Sequence, residues 1–540
     1  MMDGTIGHDR PGTPAARRRP PRRTPMTSSK PDNPEPSAHA AQPAAQGGSS
    51  RRGPGGAGGA GVRGRAPVRV HAQSPPSPGT AGEISSYAQA QAYLLQGRVN
   101  FERTAPGAGD AGRFKLDRTR AILSALGDPH TGFRSVHVAG TKGKGSTCEM
   151  IAASLERCGC TVGCYTSPHV LDVRERIRVN RAPVSPERFV GLARAAGLAA
   201  ESVEAAHGRA TFFELITAMG FVCFAQDAVD IAVVEVGLGG LLDCTNVISP
   251  LVAAVTLIGL DHTEVLGQTV GQIAAQKGGI FKPGAAALTI EQSEEALGAL
   301  RRCAQAVGER LAVVGRDVHF AHRFEWPSGG RPLQRVTLKT PRNSFEHMPV
   351  PLRGEHQALN CGLALAVLDR LGEHGFVCPP ERVQEGLESV RLPGRLEVLP
   401  TQPRVALDVA HNPASVAALL KALPANLQYD SLIVVFGCAA DKDAPAMVRS
   451  LASAADKVIF TQAGGEAAAR ARPAADLARL FRDAADRQAQ TAPDLPSAMS
   501  DALRAAQGSD LVLVAGSFYI VAEATTWLRQ RGHAAGAGLE

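Results

Sequence analysis

The chain has 540 residues, of which 44% are hydrophobic and only 4% aromatic, so it can hold more than one domain and its cores must rest on Ala, Val, Leu and Ile. Its net charge of +7 suggests a nucleic-acid surface, yet the first 80 residues hold 12 Lys/Arg against 4 Asp/Glu, leaving 46 against 47 in the remainder. A near-neutral body excludes a basic nucleic-acid-binding face as its organising feature, and no apolar run is long enough for a membrane span or forms a secretory signal.

Residues 1–83 are rich in Pro, Gly, Arg, Ser and Ala. Such a segment buries too little apolar surface to offset its ordering entropy and reads as a disordered tail. Its run Arg17–Arg19 reads as solvated rather than as an RNA or lipid contact, and Met26 offers a second start. Globular patterning begins at Ile84. Helices are expected over Tyr87–Leu95 and Leu116–Leu126, then a strand over Ser135–Ala139, a glycine-rich turn, and a helix from Ser146 to Arg157. Strand-like runs recur at Thr161–Tyr165, Ile231–Val236 and Val252–Leu257, separated by helical stretches. Near-continuous apolar strands alternating with helices predict a mostly parallel sheet covered on both faces. A Pro/Gly break at Leu392–Gly394 marks a domain boundary. Beyond it, strands are expected at Val405–Val409, Leu432–Phe436, Lys457–Thr461 and Leu511–Val514, and a last helix after Phe518. The fold class is therefore α/β, with two doubly wound domains, one over 84–391 and a smaller, Rossmann-like one over 392–540. The ten cysteines are scattered, and Cys158, Cys160 and Cys164 lack partners at zinc-site spacing, which fits reduced thiols of a cytoplasmic protein.

The strongest local signal is Gly140-Thr141-Lys142-Gly143-Lys144-Gly145-Ser146-Thr147, between a strand and a helix. Glycines let backbone N–H groups approach phosphate, and the helix N-terminus adds a favourable dipole. Lys144 is placed to reach the β- and γ-phosphates and Ser146 to serve the metal side. The strict Walker A spacing is not met, because two residues separate Gly140 from Gly143 and Gly145 intervenes before Ser146. Glu235, ahead of Val236-Gly237-Leu238-Gly239-Gly240, ends a buried strand where ligands of doubly wound sheets bind, and a carboxylate there suits Mg²⁺. His262 in Gly259-Leu260-Asp261-His262 and Lys277 in Gln276-Lys277-Gly278-Gly279 carry little weight singly.

Together these segments resemble the Mur ligase superfamily, and within it the folylpolyglutamate synthase/dihydrofolate synthase family. The resemblance rests on the loop motif, Thr166-Ser167-Pro168-His169, Glu175–Asn180, Thr211–Glu214, Glu235–Gly240, Gly259–His262, Lys277–Gly284, Gly354–Asn360, Pro393-Gly394-Arg395 and Asp408–Pro413, in that order. The chain departs from the family pattern at Leu241, where Arg is usual, at Gln276 and Gly278, at Leu392 and at Val409. The resemblance implies an ATP-dependent amide ligase that joins L-glutamate to dihydropteroate or a folate through an acyl phosphate, with water excluded by domain closure. It implies ATP contacts at Gly140, Thr141, Gly143, Lys144, Gly145, Ser146, Thr147, Asn360, Arg395, Asp408 and His411. Mg²⁺, in two sites, would be held by Ser146, Glu235, His262 and a carbamylated Lys277, and Lys144, Lys277 and His262 would be catalytic. Thr166, Ser167, Pro168, His169 and Arg176 would face the folate. The expected partners are small molecules, with no specific nucleic acid, no membrane and a monomeric chain. The alternatives are another Mur-type amino-acid ligase or a P-loop nucleotide-driven switch.

Overall fold

The computed structural model describes residues 79–96, 98–100, 116–325 and 333–533. The expectations for the tail before residue 79, including Arg17–Arg19 and Met26, lie outside them. Residues 79–83, assigned to the tail by composition, belong instead to the body. Ala81–Glu83 form a 3₁₀ turn, Ala81 is fully buried, and its N–H donates to Glu201 Oε1 at 2.7 Å.

The larger sheet has eight strands: β1 (Ser135–Ala139), β2 (Val162–Tyr165), β3 (Ile177–Val179), β4 (Ala182–Pro183), β5 (Ile231–Glu235), β6 (Val252–Val255), β7 (Ala286–Ile290) and β8 (Leu311–Val314). Their order is β4-β3-β2-β5-β1-β6-β7-β8, parallel throughout except for β3 and β4 at one edge. Every residue of β1, β2, β5 and β6 is buried, as expected of parallel strands sandwiched between helices. The expected helices appear at Tyr87–Leu95, Leu116–Ala125 and Lys144–Arg157, the last beginning two residues before Ser146. Strands β1 and β5 are neighbours, in register from Ser135 against Ala232 to Val138 against Glu235. The phosphate-loop motif and Glu235 therefore leave the sheet side by side at its carboxyl edge, where a doubly wound sheet opens a crevice.

A three-stranded antiparallel sheet follows: β9 (His319–Glu325), β10 (Leu333–Lys339) and β11 (Ser344–Pro349), in the order β11-β10-β9. Val336, Leu338, Phe345 and Met348 of this sheet join the core beneath the helix Glu355–Leu371.

The second α/β sheet comprises β12 (Glu397–Leu399), β13 (Arg404–Leu407), β14 (Leu432–Phe436), β15 (Lys457–Phe460), β16 (Gln490–Thr491) and β17 (Leu511–Ala515). Its order is β12-β13-β17-β14-β15-β16, parallel apart from β12. Separate apolar clusters line its two faces, one around Val434, Phe436 and Phe460, the other around Val435, Ile459 and Leu528. Among the described residues no helix is long and apolar enough to cross a membrane.

Candidate active site

A cleft of about 980 Å³ runs between the carboxyl edges of the two α/β sheets and is lined from both. Its floor is the loop after β1. Gly140 has φ +149, and a Cβ there would fall 1.7 Å from Thr256 Oγ1, so no side chain fits. Gly143 has φ +93, and a Cβ would stand 2.3 Å from Asn360 Oδ1. The loop is pinned by Thr141 and Lys142 N–H groups donating to Leu257 O at 2.9 and 3.2 Å. Thr141 Oγ1 also lies 3.2 Å from both the N–H and the carbonyl of Gly259, tying the loop to the segment that carries His262. The helix then starts at Lys144 with its first N–H groups aimed into the cleft.

Ser146 and Glu235 stand next to this helix start. Glu235 is 3% exposed, and its Oε2 accepts the Ser167 N–H at 3.0 Å. Burial raises its pKa, opposed chiefly by the Lys144 ammonium. Ser146 Oγ accepts from Gln357 Nε2 at 3.4 Å, and Gln357 Oε1 accepts from Asn360 Nδ2 at 2.9 Å, so the helix Glu355–Leu371 braces both the loop and the hydroxyl. His262, at φ +49, is exposed in the cleft beside Asp261.

Lys277 does not line the cleft. It lies just below, 5% exposed, donating to Gly140 O at 3.0 Å. Burial, aided by Lys144, lowers its pKa from 10.5 to about 7. Thr147, expected among the nucleotide contacts, is fully buried and turned away from the cleft. Its helix position explains this, since Ser146 takes the cleft-facing side.

On one side the segment Ser167–Val170 enters the cleft, with Arg176 behind it donating to His169 Nδ1 at 2.8 Å and stacked over the Phe212 ring at 5.2 Å. Thr166 sits at the root of this loop, bonded by its N–H to Arg176 O at 3.2 Å. A partly buried ion pair, Arg118 to the buried Glu214 at 2.8 Å, completes that wall. Glu214 also caps its own helix through the Thr211 N–H and hydroxyl.

The opposite wall comes from the second sheet. Asp408 Oδ2 and Oδ1 accept the Leu396 and Ala410 N–H groups, both at 2.8 Å. Its carboxyl is raised by burial and held down mainly by Arg395, which lies over the Phe518 ring at 5.8 Å. His411 Nδ1 donates to Val409 O at 2.9 Å, leaving Nε2 as the free ring nitrogen. Lys142 Nζ donates across the cleft to Asn412 Oδ1 at 3.5 Å. Lys442 and Arg470 add two cations to this wall.

Helix N-termini converge on the cleft, among them those of Lys144–Arg157, of Pro413–Asn426 behind Asn412, and of Phe518–Arg529 behind Ser517. Converging N-termini and cations make this a receptor for polyanions. Sequence reasoning found the first of these termini and, in Asp408–Pro413, the segment that opens the second, and passed over Gln357, Arg118, Lys442 and Arg470. For Gln357 the signal was present, since it sits inside Gly354–Asn360, a segment already matched to the family.

Residues 138–368 match the Mur ligase middle domain and residues 394–518 the Mur ligase glutamate ligase domain. A probable bifunctional folylpolyglutamate synthase/dihydropteroate synthase of Halobacterium salinarum is 37% identical over 76% of this chain and 49% of its own. The chain thus spans about half the length of the first curated relatives it matches. The dihydrofolate synthase/folylpolyglutamate synthase of Bacillus subtilis is 32% identical over 82% of this chain and 98% of its own. Among solved structures, E. coli FolC in complex with DHPP and ADP superposes with a TM-score of 0.71 at 28% identity, covering 84% of this chain and all of that one. With the paired sheets, the glycine loop and these matches, the chain belongs to the folylpolyglutamate synthase/dihydrofolate synthase family of Mur ligases.

Proposed function

We propose that the protein, acting in the cytoplasm, uses ATP to join the amine of L-glutamate to a carboxylate of dihydropteroate and of reduced folates. The observation that carries this reading is the contact of Ser167 N–H with Glu235 Oε2 at 3.0 Å. It brings the loop expected to face the folate against the carboxylate beside the phosphate loop, so an acceptor carboxylate held there lies next to a bound γ-phosphate.

The nucleotide phosphates rest on the N–H groups of Gly143–Ser146 and on Lys144, with Asn360, Arg395, Asp408 and His411 completing the nucleotide site. The substrate carboxylate oxygen attacks the γ-phosphorus, and ADP leaves, giving an acyl phosphate. Lys144 and the helix N-terminus stabilise the negative charge on the transferring oxygens. The glutamate amine then attacks the acyl carbon, loses its proton, and phosphate departs. A glutamate carrying two carboxylates needs cations, and Lys442 and Arg470 of the second sheet supply them beside the helix start at Phe518. Enclosure between the two sheets keeps water from the acyl phosphate.

The donor set fits Mg²⁺. The Ser146 hydroxyl and the buried Glu235 carboxylate offer hard oxygen ligands beside a phosphate site, the usual way this ion is shared between protein and nucleotide. His262 and Lys277 would serve a second ion. A buried amine with a pKa of about 7 is about half unprotonated near neutrality, and the unprotonated form is the one that reacts with carbon dioxide to a carbamate. When bound, the metal neutralises phosphate charge and polarises the γ-phosphoryl group.

The test is phosphate release with ATP, Mg²⁺ and L-glutamate, adding dihydropteroate or tetrahydrofolate. Glutamate-dependent turnover with both is the expected result. Turnover with one alone restricts the substrate, and silence with both in a protein that binds ATP refutes the folate assignment.

A further inference from the structure

The glycine loop behind Glu235 and the helix end that bears Lys277 are distant in sequence, yet one buried side chain joins them. Asn246 is 2% exposed. Its Nδ2 donates to Leu241 O at 2.9 Å and to Gly279 O at 3.1 Å. Leu241 N–H in turn donates to Gln276 O at 2.8 Å. Gly240 packs so closely that a Cβ would stand 2.7 Å from Gln276 O and 2.9 Å from Lys277 O. From the other side Asp243 holds the same loop, its Oδ2 accepting the Leu238 N–H at 2.8 Å.

We propose that Asn246 is a positioning residue, whose amide clamps the loop behind Glu235 to the helix end behind Lys277 and so sets the spacing of the two metal-side groups. The proposal rests on the reading of Glu235 and Lys277 given above. Both N–H bonds of the amide go to carbonyls, whereas its Oδ1 has no hydrogen-bond partner. The position therefore needs the two donors rather than the acceptor. An aspartate has the same shape with no donor when ionised, and it would set negative oxygen against two carbonyls. Such outer supports of a metal site commonly change metal affinity or activity by about 10–100-fold when removed.

The test compares wild type with N246D in two assays, turnover with both pterins and Mn²⁺ binding followed by electron paramagnetic resonance in the presence of ADP. The expected result is kcat lower by about tenfold or more and Mn²⁺ affinity weaker by a similar factor, with KM for the pterin and metal-free ADP affinity nearly unchanged. N246D with wild-type Mn²⁺ affinity overturns the proposal, even if its thermal midpoint falls, because a merely structural role predicts that pattern. Wild type that binds no Mn²⁺ with ADP overturns it as well. Wild type that binds Mn²⁺ but turns over neither pterin refutes the folate reading while leaving the clamp measurable. If N246D does not fold, N246S, which keeps one donor in less volume, is judged by the same two ratios.

Discussion

Replacing Lys277 with methionine should abolish ligase activity and stabilise the fold. The unfolded chain keeps the lysine proton up to its ordinary pKa of 10.5, whereas the folded chain releases it from about 7. Between those values the unfolded state binds more protons, so wild-type stability climbs as pH rises through that window, by about 1.4 kcal/mol per unit from this group. At or below neutral pH, burying the amine thus costs about 5 kcal/mol. Methionine has similar length and no charge, but it forfeits the bond to Gly140 O, worth about 1–2 kcal/mol with the carbonyl left unpaired. K277M should therefore be about 2 kcal/mol more stable than wild type near pH 7.5, with the advantage closing by about pH 10. Urea unfolding in magnesium-free and carbon-dioxide-free buffer, at several pH values across the window, measures both curves. Parallel curves, or a K277M protein less stable at every pH, would refute the argument that this lysine is held against its protonation.

Gly143→Ala forces a left-handed φ on a residue with a Cβ, at about 1–2 kcal/mol, and drives that Cβ into the Asn360 amide. Calorimetry should show ADP affinity reduced by at least about tenfold, consistent with that cost. Arg118→Met leaves Glu214 buried without its cation, and should cost about 3 kcal/mol in chemical unfolding while raising KM for the pterin more than for ATP. His137 is fully buried, donating to Thr245 Oγ1 at 2.8 Å, and burial lowers its pKa from 6.5 to about 3. Its neutral form is required by the fold, so stability is lost as pH falls below about 6.5, by about 2 kcal/mol at pH 5. The urea midpoint of H137Q should decline less between pH 7 and pH 5 than that of wild type.

The parallel strands were readable because burial on both faces leaves an unbroken apolar run, as in Ile231–Val234 and Leu432–Phe436. The antiparallel sheet of β9, β10 and β11 was not. Its middle strand alternates, with Val336 and Leu338 inward and Arg335 and Thr337 outward, and β9 is almost wholly exposed, so neither forms an apolar run. At the site, Lys144 and Glu235 were legible since a loop and a strand end announce them locally. The brace from Gln357 to Ser146 spans 211 residues and Arg118 to Glu214 spans 96, distances over which no local pattern operates. Thr147 shows a different limit of motif reading, a loop position whose side chain the helical turn directs into the core.

The loop Ser167–Val170 reaches in two directions at once. Its first residue bonds Glu235 of the larger sheet, while Val170 packs into the apolar cluster of the second sheet with Phe518. A substrate that shifts this loop must disturb both contacts together. If that loop holds the acceptor as proposed, occupancy of the acceptor site and any opening between the halves become two readings of one equilibrium, and linkage makes them reciprocal. On that reading, whatever draws the halves together would tighten the grip on the acceptor, and the acceptor would return the same free energy to closure. Product that has been lengthened by one residue and no longer seats the loop would, by the same balance, favour the open cleft from which it leaves.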